Sequence, residues 1–99
     1  MRILVTGAGG QVGREMVEML APHQVIAGTH ADLDAGDRDS ALAAITSTRP
    51  DAIVHCASWT NVDGCESDTD HAFRDNALAC RNVMEGARRV GAYVVALST

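Results

Sequence analysis

"VTGAGGQVG", residues 5–13, sets four glycines among nine positions, directly behind the apolar start "MRILV". Glycine collects where the backbone must turn sharply or where another group must approach it without a Cβ in the way. Gly7, Gly10 and Gly13 stand three apart, between an apolar run and an amphipathic one. A doubly wound α/β sheet lays a pyrophosphate at that turn, against the free N–H groups and partial positive charge of the helix N-terminus. On this reading Gly7 permits the tight turn, Gly10 opens the backbone to the ligand, and Gly13 lets the helix lie close on the strand. The G-x-G-x-x-G pattern fails because Val12 stands at its third glycine; the motif present is G-x-x-G-x-x-G preceded by Thr6. A glycine-rich loop alone is a weak signal. A strand before it, a helix after it and further β-α units behind it make dinucleotide binding the expectation.

Those units are visible in the periodicity. "RILVT" (2–6), "QVIAGT" (24–29), "AIVHC" (52–56) and "AYVVALS" (92–98) are short apolar runs rich in β-branched residues and read as strands. Between the first two, "QVGREMVEMLA" repeats Val12, Met16 and Leu20 every four residues, with Arg14, Glu15 and Glu18 on the other face, and ends near Pro22. Between the second and third, Asp37 can cap "RDSALAAITSTR", whose Ala41, Leu42 and Ile45 form an apolar stripe before Pro50. Residues 68–91 carry Phe73, Ala77, Cys80, Val83, Met84 and Ala87 at helical spacing, with Gly91 as the stop. Four strands alternating with three helices predict an α/β fold, a partial Rossmann-like doubly wound parallel sheet covered on both faces.

Composition excludes several classes. A chain of 99 residues is at most one domain, with a thin core. Eight arginines, no lysine and thirteen acidic residues give a net charge of −5, and no basic run offers a footprint for nucleic acid. No run of 18 apolar residues predicts a membrane span, and no signal peptide is visible, so a cytoplasmic place is expected. Cys56, Cys65 and Cys80 are odd in number without C-x-x-C spacing, and read as reduced thiols. His55, Cys56, Cys65 and His71 match no common zinc spacing, so no metal is expected.

Four segments carry a family resemblance: "ILVTGAGGQVG", "RPDAIVHCASWTNVDGCES", "NALACRNVMEGARRVGAYVV" and the terminal "LST". Together they resemble the N-terminal part of the dTDP-4-dehydrorhamnose reductases, nucleotide-sugar members of the extended short-chain dehydrogenase/reductases. The resemblance covers nearly the whole chain; the glycine loop and Trp59–Glu66 are its most specific parts. It implies a Rossmann domain and hydride transfer from NADPH or NADH to the 4-keto group of a dTDP-linked deoxysugar, giving dTDP-L-rhamnose.

By resemblance, Gly7, Gly10, Gln11, Val12 and Gly13 hold the pyrophosphate. Asp34 and Ala35 stand where the family places an Asp and the following backbone against the adenine; a solvated turn acid is the alternative for Asp34. His55–Ser58 replaces the family's Asn-Ala-Ala-Ala beside the cofactor, with Ala57 and Ser58 keeping the path narrow. Thr60, Val62 and Asp63 match the substrate side of that loop. Asn76 matches an Asn of the long helix that orders the loop under the cofactor, or is a plain surface residue. His55 reads as a packed strand-end histidine rather than a proton shuttle. A carboxylate after the second strand would accept the ribose hydroxyls of NAD, whereas a small polar or cationic group accommodates the 2′-phosphate. Thr29 and His30 stand there with Asp32 nearby, which favours NADPH and leaves NADH open.

The superfamily's catalytic acid is a Tyr followed four residues later by a Lys, helped by a Ser or Thr hydroxyl. By match that hydroxyl belongs to Thr99. Tyr93, the single tyrosine, is followed four residues on by Leu97, and without lysine the pair cannot form. Tyr93 therefore reads as a strand core residue. Residues 1–99 are thus expected to be the N-terminal part of an NAD(P)-binding Rossmann domain, inactive alone, from an oxidoreductase about three times longer. "AYVVALS" would then be an open apolar edge, prone to pairing as a homodimer. Another nucleotide-sugar epimerase or dehydratase, or a dinucleotide-binding module without chemistry, is the alternative.

Overall fold

The computed structural model describes residues 1–29, 33–56 and 69–97, and for 69–76 the backbone alone. Its elements are β1 (Arg2–Thr6), α1 (Gln11–Met19), β2 (Gln24–Gly28), α2 (Arg38–Thr48), β3 (Ala52–His55), α3 (Thr69–Val90) and β4 (Tyr93–Ala96). The four strands form one sheet in the order β2-β1-β3-β4, every neighbouring pair parallel. Thr6 pairs in register with Gly28 on one side and His55 on the other. Among the described residues the expected Rossmann-like sheet with three helices is therefore present.

β1 is central and buried on both faces because its side chains alternate between two clusters. Leu4 joins Ile53, Ile45 of α2, and Ala79, Val83 and Ala87 of α3; Ile3 and Val5 join Val54, with Met16, Val17 and Leu20 of α1 packed against them. Leu4, Ile45, Ile53, Val5 and Val83 are fully buried. Each contributes about 1.5–3 kcal/mol by leaving water.

Local chemistry sets the helix ends. The Asp37 carboxylate accepts from the Asp39 N–H and caps α2. Arg49, left-handed at φ 47°, ends that helix ahead of Pro50. α3 closes in a Schellman turn: Gly91 stands at φ 72° and the Ala92 N–H donates to the Ala87 carbonyl at 2.9 Å.

Three expectations are corrected. Tyr93 lies on a strand but is 77 % exposed and not core, because β4 is an edge and Tyr93, with Val95, points to the sheet face on which α1 covers only the β1 side. The buried stripe of α3 runs through Ala79, Asn82, Val83, Gly86 and Ala87, leaving Ala77 and Met84 exposed; small residues let α3 lie close on α2, whose Ile45 side chain abuts Gly86. Val12 is exposed rather than part of the apolar face of α1, because it sits on the first turn, beyond the carboxyl end of the sheet.

Candidate functional site

The chain runs from β1 to β2 on one side and then returns past β1 to β3 on the other, so the strand order reverses between β1 and β3. In an open parallel sheet the crevice outside the carboxyl ends of those two strands is where ligands bind. Here those ends are Thr6–Gly7 and His55–Cys56.

The glycine loop fills that position. Gly7 is left-handed at φ 66°, and its carbonyl accepts the Gly10 N–H at 3.0 Å. Gly10 is the N-cap of α1 and supplies no side-chain cap; its carbonyl receives the first helical bond, from Arg14 N–H at 2.9 Å. The N–H groups of Gln11, Val12 and Gly13 thus have no helical acceptor. No acidic side chain occupies the first turn. A Cβ on Gly13 would lie 2.0 Å from the Gly7 carbonyl oxygen and 2.8 Å from the Ala8 Cα. Gly13 is therefore demanded by the fold. A Cβ on Gly10 would meet only the Gly7 oxygen, at an ordinary 3.5 Å, and Gly10 is exposed. Nothing within the described protein demands glycine there, whereas a closely approaching phosphate would.

Beneath the loop, β1 and β3 are tied by a buried pair. The fully buried Thr6 Oγ1 stands 2.7 Å from His55 Nδ1 and accepts the Cys56 N–H at 3.1 Å. Burial pushes the His55 pKa down, which keeps the ring neutral. The Thr6 hydroxyl thus bridges the two strands, bonded to the ring nitrogen of His55 and to the backbone of Cys56 at once. The packed reading of His55 fits this geometry better than the shuttle. Cys56 packs against the cluster on the α1 face, and burial pushes its thiol pKa up, so it is not an activated nucleophile.

The segment after β2 forms the other wall. Half-buried Thr29 lies beside the loop, its Cγ2 3.9 Å from where a Cβ on Gly9 would be, and its carbonyl accepts the Leu33 N–H at 2.8 Å. Asp34 Oδ1 accepts the Gly36 N–H at 3.0 Å, and its backbone N–H donates to Ser40 Oγ at 3.1 Å. One carboxylate oxygen of Asp34 is thus bonded within its own turn, with Oδ2 outside that bond. Ala35 is buried, and its carbonyl accepts from Asn82 Nδ2 at 2.9 Å. The structure therefore brings Gly7, Gly10, Gln11, Val12, Gly13 and Thr29 to one end of the sheet, with Asp34 and Ala35 in the turn that follows the β2 end. His30, Ala57, Ser58, Thr60, Thr99, Trp59 and Cys65 lie outside the described residues, as do the side chains of Asn76 and His71.

Sequence reasoning missed Asn82 and Ser40. Asn82 carried a readable signal: it is the one polar member of the 79-82-83-86-87 stripe, and a polar residue there needs a buried partner. Ser40 carried none, because serine in a first helical turn is ordinary.

A family profile described as RmlD substrate binding domain matches residues 1–99. The chain belongs to this family. Among curated relatives, the dTDP-4-dehydrorhamnose reductase of Streptomyces griseus is 38% identical over 100 residues, covering 99% of this chain and 33% of that protein. The spore coat polysaccharide biosynthesis protein SpsK of Bacillus subtilis is 36% identical, covering 99% of this chain and 35% of its own length. Among solved structures, dTDP-4-dehydrorhamnose reductase from Bacillus anthracis, in complex with NADP, superposes with a TM-score of 0.86 at 34% identity, covering 94% of this chain and 34% of that one. The chain spans about a third of the length of the RmlD-family relatives it matches. Among the described residues no helix is long and apolar enough to cross a membrane.

Proposed function

We propose that residues 1–99 are the N-terminal part of the NAD(P)-binding domain of a cytoplasmic reductase. It would use NADPH to reduce the 4-keto group of a dTDP-linked deoxysugar, as in the formation of dTDP-L-rhamnose. The observation that carries the binding half of this reading is the bare α1 N-terminus at the strand-order reversal, where Gly13 is demanded by packing and Gly10 is not. The substrate half is supported by the relatives from S. griseus and B. anthracis, both dTDP-4-dehydrorhamnose reductases.

The residues present suit a dinucleotide. The N–H groups of Gln11, Val12 and Gly13 would hold the pyrophosphate. Asp34 and the backbone of Ala35 would face the adenine, and Thr29 and His30 the 2′-phosphate, with NADH the weaker ligand. Ala57 and Ser58 would keep the path beside the cofactor narrow, Thr60 would stand on the substrate side of that loop, Asn76 would order the loop under the cofactor, and the Thr99 hydroxyl would donate to the keto oxygen. NADPH supplies the hydride when bound. The 99 residues contain no lysine, so a Tyr-x-x-x-Lys acid pair is not among them. This chain's share is to bind and orient the cofactor and to exclude water from it.

The test is to mix the full-length protein with NADPH and dTDP-4-dehydrorhamnose and follow NADPH absorbance together with the product by NMR. Stoichiometric oxidation of NADPH with formation of dTDP-L-rhamnose is expected. Epimerisation of a nucleotide sugar without net NADPH consumption would favour the epimerase alternative and overturn the reductase. The open β4 edge, with Tyr93 and Val95 exposed, is the surface through which a second copy of the 99-residue chain would pair. Sedimentation that stays monomeric at high concentration would remove that part.

A further inference from the structure

Asn82 lies on the α3 stripe that packs against α2 and is 7 % exposed. Its Nδ2 donates to the Ala35 carbonyl, 47 residues away in sequence, at 2.9 Å. That carbonyl belongs to the peptide group whose N–H is that of Gly36, and the Gly36 N–H donates to Asp34 Oδ1 at 3.0 Å. One peptide plane is therefore held at both ends, by α3 through its oxygen and by the Asp34 carboxylate through its nitrogen.

Neighbouring contacts restrict the same turn. The Asp34 N–H donates to Ser40 Oγ, and the Asp37 N–H to the Asp34 carbonyl at 3.0 Å. One helical step beyond Asn82, at i+3, Glu85 accepts two hydrogen bonds from Arg38, at 2.9 and 2.8 Å, on the exposed side of α2 and α3. Glu85 and Arg38 form an outer clip and Asn82 an inner one. Only the inner clip leads to the Asp34 carboxylate.

We propose that Asn82 is a positioning residue for the adenosine end of the dinucleotide, acting on Asp34 through the Ala35–Gly36 peptide. Without its donor the buried carbonyl has no partner and the peptide can rotate. The Gly36 N–H then leaves Asp34 Oδ1, and the carboxylate loses its fixed direction. Burial of the amide alone would make Asn82 structural; the relay through a single peptide group makes it specific to one end of the ligand. The proposal rests on the nucleotide-binding reading above.

The experiment uses the full-length protein and two half-ligands, adenosine 2′,5′-bisphosphate and reduced nicotinamide mononucleotide, measured by calorimetry. Asn82→Ala should weaken the adenosine half about tenfold or more and leave the nicotinamide half within about twofold. In a cycle with Asp34→Ala the double variant should bind the adenosine half no more weakly than the worse single variant, since both break one relay. Should Asn82→Ala not fold, Asn82→Ser, which leaves a smaller and more polar gap and cannot reach Ala35, carries the same expectations. Unchanged binding of the adenosine half, equal weakening of both halves, or additive effects in the cycle would overturn the proposal. A wild-type protein that binds no adenosine 2′,5′-bisphosphate would overturn the nucleotide reading and this proposal with it.

Discussion

Gly13 and Gly10 lie three residues apart at the mouth of the same helix, yet alanine at each should do opposite things. At Gly13 the new Cβ would stand 2.0 Å from the Gly7 oxygen, 2.7 Å from the Gly7 carbonyl carbon and 2.8 Å from the Ala8 Cα. An ordinary contact begins near 3.4 Å, so α1 and the loop must part by 3.4 − 2.0 = 1.4 Å along the shortest approach. All three neighbours are backbone, and no side chain can rotate aside. Overpacking of this kind costs about 3 kcal/mol, the upper end of the usual range, because α1 must lift from the sheet or the Gly7 turn must open. At Gly10 the nearest atom would be 3.5 Å away, an ordinary contact, and the cost is the poorer N-cap, about 1 kcal/mol or less. The methyl would nevertheless project where a phosphate approaches. Gly13→Ala should therefore lower unfolding stability by about 3 kcal/mol. Gly10→Ala should spare stability and weaken NADPH about tenfold or more. Denaturant unfolding by circular dichroism reads the first effect and calorimetric titration the second. If Gly10→Ala left NADPH affinity untouched, or destabilised the protein as much as Gly13→Ala, the division between a structural and a ligand-facing glycine would be wrong.

Thr6→Val keeps the shape of the side chain but removes the buried hydroxyl that serves both His55 Nδ1 and the Cys56 N–H; a loss of about 2–4 kcal/mol in denaturant unfolding is expected. His55, held below its ordinary pKa by burial, stays neutral in the folded chain while the unfolded chain takes up a proton below about pH 6.5. Stability present above that pH should thus fall as pH drops from about 6.5 toward the folded pKa, and His55→Asn should flatten this part of the profile of unfolding free energy against pH. Tyr93→Lys, on the exposed edge, should change stability by no more than about 0.5 kcal/mol while abolishing any self-association seen by sedimentation.

The sheet and its ligand-binding edge were legible because their signals are local. Apolar runs of strand length, helical periodicity, Asp37 before α2 and Gly91 after α3 each speak within a few residues, and the expected elements match the observed ones to within two residues at either end. Gly7 and Gly13 were readable because a left-handed turn favours glycine and a 2.0 Å approach leaves no room for a Cβ. What escaped depends on neighbours distant in sequence. The exposure of Tyr93 follows from where α1 lies on the sheet, and the displaced stripe of α3 from how closely α2 approaches it. The Thr6–His55 and Asn82–Ala35 bonds join residues 49 and 47 positions apart, which no periodicity reports.

We expect the α1 N-terminus, at the reversal of strand order, to receive the pyrophosphate of a dinucleotide. The most direct measurement is an NMR titration of the amide groups of the ¹⁵N-labelled protein with NADPH. Saturable shifts are expected, largest at the amides of Gly10, Gln11, Val12 and Gly13, with a second group at Asp34–Gly36. Saturation with those amides unmoved, or no binding by a folded protein up to millimolar NADPH, would contradict it.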